Sequence, residues 1–225
     1  MKTIVYSGTR NLYEQMYISL MSVMKFTADI KAYLLIEDDE FPYKLPENVE
    51  TMNVSGQTFF RPDGANSRTK YSYMSLMRAA LAKVLPNEDK VLSLDCDVLA
   101  TEDISDVFTY DLDGYYFSAS EEPAKSSINR LYTNTGVCLY NLKKLRDDGK
   151  ADGVIEALNN KRYAFIEQDC FNELCQGHIL RMDQKYNATN YTLRCDHPAI
   201  IHYAGARDWT MQPLYRKYKK EFLNG

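Results

Sequence analysis

Short apolar runs and amphipathic stretches alternate along the chain. Thr3 to Tyr6 reads as a strand, and Asn11 to Phe26 as a helix with Leu12, Met16, Leu20, Val23 and Met24 along one side. Ile30 to Ile36 is a second strand and Val49 to Val54 a weaker third. Gly56, Pro62, Asp63 and Gly64 mark Ser55 to Ser67 as a loop long enough to cover a site. Arg68 to Leu85 spaces Tyr71, Met74, Leu76, Met77, Ala80, Leu81 and Val84 at helical intervals and is closed by Pro86. Val91-Leu92-Ser93-Leu94 is the next strand. Further strands are expected at Tyr115 to Ser120, Gly136 to Tyr140 and Ala199 to Tyr203. Helices are expected near Leu142 to Arg146, Gly153 to Asn160, Gln168 to Cys175 and Leu214 to Leu223. This order predicts an α/β fold, a largely parallel sheet covered by helices. No linker, repeat or low-complexity segment divides the 225 residues, so they read as a single domain.

Candidate chemistry sits at the end of one apolar run. Asp95-Cys96-Asp97 follows Val91 to Leu94 directly, and alternate side chains of a strand share a face, so both carboxylates can meet one divalent cation. The carboxyl end of a strand is where open α/β sheets bind ligands, and a hard cation there commonly also holds nucleotide phosphates. A second acidic pair, Asp111-Leu112-Asp113, has no apolar run before it and reads as a solvated turn beside Gly114. Cys96 should point to the opposite face from its neighbours and reads as packing.

Composition narrows the partners. A net charge of −4 and a pI near 5.5 argue against nonspecific nucleic-acid binding. No apolar run approaches the ~20 residues that span a bilayer. Met1-Lys2-Thr3 leads into a strand and not into a leader, which reads as cytoplasmic. The odd set Cys96, Cys138, Cys170, Cys175 and Cys195 has no C-x-x-C pair and fits reduced thiols, not a disulfide framework or a zinc site.

Five segments in a fixed order resemble glycosyltransferase family 8, retaining enzymes that include glycogenin and bacterial lipopolysaccharide galactosyl- and glucosyltransferases. Lys90-Val-Leu-Ser-Leu-Asp95-Cys-Asp97 resembles the family's "K-V-L-Y-L-D-x-D", and Asn134-Thr135-Gly136-Val137 its "N-S-G-V" turn. Gln168-Asp169-Cys170-Phe171-Asn172 resembles "D-Q-D-x-x-N", with Glu167 for the first aspartate; Lys185-Tyr186-Asn187 resembles the following "Y-N", and Ile200-Ile201-His202-Tyr203-Ala204-Gly205 the closing "I-H-x-x-G". The resemblance implies a GT-A fold that moves a hexose from a UDP-sugar to an acceptor, which could be a glycan, a lipid or a protein, with Mn²⁺ or Mg²⁺ as cofactor. It divides the domain into a nucleotide-binding half to about residue 97, a sugar and acceptor half over 98–210 and a helical tail over 211–225.

Carried over residue by residue, the resemblance makes Asp95, Asp97 and His202 the metal ligands, a mixed oxygen and nitrogen shell that suits Mn²⁺. It puts Gln168 and Asp169 beside the reacting sugar, and Arg78 on the helix before the metal strand, facing the donor. Uridine contacts fall on Ser7, Thr9 and Asn11, with Tyr13 stacking on the base, although the usual aspartate is replaced near Thr9 and Asn11 reads equally well as a helix cap. Asn134 and Gly205 join the donor site, and Cys96 stays beside it between the two aspartates. Arg68 and Lys70 are weaker basic candidates. The closing motif is one residue shorter than the family's "H-x-x-G-x-x-K-P-W", so Arg207 is left to offer positive charge to the β-phosphate, with Asp208 pointing away.

Tyr215 to Phe222 is basic and aromatic. It could touch an anionic membrane weakly, though a solvated terminal helix is the plainer reading. Two other classes accommodate the same residues: a haloacid-dehalogenase-like phosphatase, through Asp95-Cys-Asp97, and a nucleotide-sugar binding protein without turnover, through the altered closing motif.

Overall fold

The computed structural model describes residues 2–69 and 71–224; Lys70 lies outside them. A seven-stranded sheet runs in the order β3-β2-β1-β4-β7-β6-β8. Its strands are β1 (Lys2–Ser7), β2 (Ile30–Ile36), β3 (Val49–Asn53), β4 (Lys90–Leu94), β6 (Phe117–Glu121), β7 (Thr133–Asn141) and β8 (Ile179–Met182). β1 pairs in parallel with both β2 and β4, β2 with β3 and β6 with β8, while β7 runs antiparallel between β4 and β6. The nearly continuous apolar β1, β2 and β4 are buried on both faces, as strands of a covered parallel sheet must be. The chain leaves β1 toward β2 on one side and returns to β4 on the other, which opens a crevice at the carboxyl ends of β1 and β4.

Helices cover both faces. α1 (Tyr13–Phe26) buries Met16, Leu20 and Val23 against β1, β2 and β4 residues. It starts two residues later than the periodicity predicts, because Arg10–Leu12 close a 3₁₀ turn first. The helix expected over Arg68 to Leu85 is two single turns, α2 (Met74–Met77) and α3 (Leu81–Val84), joined by a 3₁₀ turn at Arg78–Ala80. That tightening sits where a buried arginine is used, as described below. α4 (Leu142–Asp147), α5 (Lys150–Asn160) and α6 (Ile166–Leu174) pack on the same face as α2 and α3. The loop over Ser55 to Ser67, expected to cover a site, is instead pinned to α5: Asn66 Nδ2 donates to Leu158 O at 2.6 Å and Asn159 Oδ1 accepts from Arg61 N at 2.9 Å.

A separate two-stranded ribbon joins β5 (Val98–Ala100) antiparallel to β9 (Ile200–His202), with Val98 opposite His202. α7 (Pro213–Asn224) lies on α1. Its Tyr215 and Tyr218 are buried; Tyr218 Oη donates to Ala100 O at 2.9 Å and Tyr215 Oη to Glu14 at 2.9 Å. The aromatic side of the tail is therefore occupied by the fold. No helix among the described residues is long and apolar enough to cross a membrane.

Candidate active site

Asp95, Asp97 and His202 converge although nearly half the chain separates the aspartates from the histidine. β4 ends at Leu94, so the acidic triplet is the turn that follows the strand and not part of it. Asp95 N still donates to Gly136 O at 2.8 Å, and Tyr203 N donates to Asp97 O at 3.0 Å, which ties the turn to β7 and β9. His202 Nε2 lies 3.2 Å from Asp97 Oδ1 and 3.5 Å from Asp95 Oδ2. One ligand atom from each of the three lies within 4.8 Å of the others, a spacing that fits one cation. His202 Nδ1 is 2.8 Å from Asn187 Oδ1; that carbonyl only accepts, so Nδ1 carries a proton, and Nε2 faces the carboxylates. A Cβ on Gly136 would come 2.1 Å from His202 Cε1, so only glycine lets the ring reach this position.

Arg78 braces the centre from behind. Its guanidinium contacts Asp95 Oδ1 at 2.6 Å and Glu167 Oε1 at 2.5 Å and donates to Thr135 O at 3.1 Å, with a side chain only 10% exposed. Burial would raise the Asp95 pKa, but Arg78 and His202 hold it below the ordinary carboxylate value. Burial pushes Glu167 up to about 7 despite Arg78. For His202 burial works downward, yet Asp97 and Asp95 lift it to about 9.

Both raised values have the same sign. A group with a folded pKa above its unfolded one stabilises fully below the unfolded value and loses that contribution as pH climbs through the folded value. Metal-free protein should therefore lose thermal stability steadily from about pH 4.5 to 7 through Glu167 and from about pH 6.5 to 9 through His202. Calorimetric melting across that range tests it, and a midpoint that rises toward pH 9 would contradict these proton placements.

Asp95, Asp97 and His202 stand at the wall of a cavity of about 580 Å³ at the β1/β4 crevice. Gln168 lines it from α6: its Oε1 accepts from Thr135 N at 3.1 Å, and its Nε2 donates to Tyr132 Oη at 3.1 Å and Glu122 Oε1 at 3.3 Å. Ile166, two residues before it, has φ 28°, a conformation that costs a β-branched residue roughly 1–3 kcal/mol. Asp169 secures that start of α6. Its Oδ2 accepts from Phe165 N at 2.8 Å and its Oδ1 from Tyr132 Oη, so both oxygens are occupied and it does not line the cavity.

Residues 3–211 match the family described as "Glycosyl transferase family 8". The chain belongs to glycosyltransferase family 8. GlyA of Streptococcus pneumoniae serotype 4 is 25% identical over 222 residues, 92% of this chain and 32% of that protein. The lipopolysaccharide 1,2-glucosyltransferase of Escherichia coli K12 is 28% identical over 163 residues, 58% of this chain and 48% of its own length. The chain thus spans less than half the length of these two relatives. In three dimensions it is similar to the galactosyltransferase LgtC, solved with donor and acceptor sugar analogues, at TM-score 0.73 and 20% identity over 98% of this chain and 96% of that one. The glycosyltransferase GlyE of S. pneumoniae TIGR4 gives TM-score 0.72 at 18% identity, covering 99% of this chain and 62% of that one. The fold is GT-A, as the resemblance implied.

Membership of family 8 displaces the phosphatase reading of the aspartates, which follow β4 and not the first strand. It also gives the other residues a frame. Ser7, Cys96, Asn134 and Gly205 line the cavity with Asp95, Asp97, His202, Arg78 and Gln168. Thr9, Asn11, Tyr13 and Arg207 do not. Tyr13 is 2% exposed; its Oη donates to Asp38 at 2.9 Å and accepts from Glu37 N at 3.0 Å, so its ring has no free face for a base. One residue along a helix is a turn of about 100°, and the neighbour Leu12 lines the cavity instead. Thr9 Oγ1 donates to Asn11 Oδ1 on the surface, and Asn11 caps no helix. Arg207 is exposed, as is Arg68. Cys96 packs on the end of β1, its Sγ 3.6 Å from Ser7 O, and burial pushes its thiol pKa up.

Glu122, Lys125, Phe165 and Tyr191 are among the cavity residues that the sequence did not single out. Glu122 and Lys125 follow a register shift in the β6–β7 pairing, Tyr191 precedes β9, and Trp209 is the tryptophan of the shortened closing motif. Asn134 and Thr135 belong to β7, which begins at Thr133; the motif read as a turn is strand.

Proposed function

We propose that this domain is a retaining hexosyltransferase that uses a UDP-sugar of the UDP-glucose or UDP-galactose type and a divalent cation. The reading is carried by one observation: three cation ligands meet at the wall of a cavity that Gln168 lines from another element. Asp95, Asp97 and His202 would hold Mn²⁺, which the imidazole nitrogen favours over Mg²⁺. When bound, the cation neutralises charge that builds on the departing diphosphate. Arg78 keeps Asp95 ionised and aimed. Gln168 fixes the sugar on the side opposite the nucleotide, while Asp169 acts through Tyr132. Ser7, Leu12, Tyr71, Ser72 and Ser75 form the end of the cavity suited to the uridine. At the mouth Phe165 and Tyr191, 41% and 52% exposed, offer aromatic faces on which an acceptor sugar ring can stack.

Without acceptor, such an enzyme transfers slowly to water. Incubation with UDP-glucose, UDP-galactose and their N-acetylated forms in Mn²⁺ should release UDP, with one sugar preferred. A preference for a GDP- or dTDP-sugar would overturn the base assignment. Tight UDP binding with no hydrolysis of any donor would favour the binding-protein reading, which the exposed position of Arg207 supports.

A further inference from the structure

We infer that Glu122 is a positioning residue that sets which polar atoms His202 and Gln168 present to the cavity. The inference rests on the metal centre proposed above. Glu122 stands at the end of β6, 3% exposed, with Oε2 held 2.9 Å from Lys125 Nζ. Its other oxygen accepts two amides, Asn134 Nδ2 at 2.7 Å and Gln168 Nε2 at 3.3 Å.

An amide can face either way, so its direction has to be imposed. A carboxylate offers only acceptors, which turns the Asn134 NH₂ toward Glu122 and its oxygen away. That oxygen then accepts from Gly136 N at 3.0 Å and from Asn187 Nδ2 at 3.0 Å. Asn187 is thereby left with its oxygen toward His202 Nδ1, which must carry the proton, and His202 Nε2 is turned to Asp95 and Asp97. Along the second arm, Gln168 gives its NH₂ to Glu122 and its oxygen to Thr135 N. Asn134, Asn187, His202 and Gln168 are 6%, 0%, 5% and 9% exposed, so a reversed link at Asn187 would leave buried polar atoms without partners. The polarity of the whole relay is fixed at its ends by groups that cannot swap roles.

Glu122→Gln keeps the shape but has a single oxygen, so an NH₂ must oppose either the Lys125 ammonium or the amide donors. Binding of Mn²⁺ alone is read from the electron paramagnetic resonance signal of the free ion. Mn²⁺ affinity should fall about tenfold although Glu122 is not a ligand. Asn187→Leu cuts the relay without changing charge and should lose as much, and the double variant should lose no more than either single one. Additive losses would mean that Glu122 acts through its charge, and an unchanged affinity in Glu122→Gln would overturn the relay outright. Absence of Mn²⁺ binding in the wild type would instead overturn the metal centre, and the relay with it. If Asn187→Leu does not fold, ¹⁵N-histidine spectra of Glu122→Gln decide: the slowly exchanging Nδ1 proton of His202 should be lost, and its persistence would overturn the proposal.

Discussion

Asparagine at position 97 should abolish the stabilisation that UDP and Mn²⁺ together give the wild-type protein. Ligand at one hundred times its dissociation constant adds about 2.7 kcal/mol, which for a chain of this length raises the melting temperature by roughly 5–10 °C. Asp97 is the cleaner of the two aspartates to change. Among the described residues its carboxylate forms an ion pair only with His202, whereas Asp95 is also braced by Arg78. The amide keeps the shape and removes the anionic ligand, so the fold should survive while the shift vanishes. Donor hydrolysis should drop by about 10³-fold, corresponding to roughly 4 kcal/mol of lost leaving-group stabilisation. A wild-type-sized melting shift in Asp97→Asn would sink the assignment of this residue as a ligand.

Methionine in place of Arg78 should cost both stability and cation binding. The guanidinium stands between the buried Glu167 and the part-buried Asp95, and removal of the cation from a buried ion pair costs about 3–5 kcal/mol, because the buried anion stays behind unpaired. The melting temperature should fall by roughly 10 °C at pH 8. Glu167→Gln in the same chain removes one of the stranded charges and should restore part of that loss. A drop of only a degree or two for Arg78→Met alone would show that solvent reaches the site and that the brace contributes little.

Much of the scaffold was legible because its strands and helices carry their own periodicity. β2 over Ile30 to Ile36 was readable to the residue, as its apolar run is broken only at Lys31, near its start, and is otherwise buried on both faces. The two aspartates were legible by their place after an apolar run. What could not be read depended on contacts made at a distance. β5 and β8 are three and four residues long, too short to repeat a period. Asn134 and Thr135 look like a turn but are strand, since their polar groups find buried partners at Gln168 on α6, Glu122 just after β6 and Asn187. Glu122 carries no motif or periodicity of its own; the shift in register between Ala119 and Ser120 precedes its turn inward. Tyr13 failed for the smallest reason, a single residue of helical register.

The pairing of Val98 with His202 has a consequence for synthesis. β1, β2 and β4 can find one another while the ribosome is still making the second half of the chain, and the aspartates will then already be in place. The imidazole arrives only with β9, close to the end. A nascent chain therefore has most of its sheet before the proposed cation site is complete, and metal capture by that site would report that β9 has paired with β5.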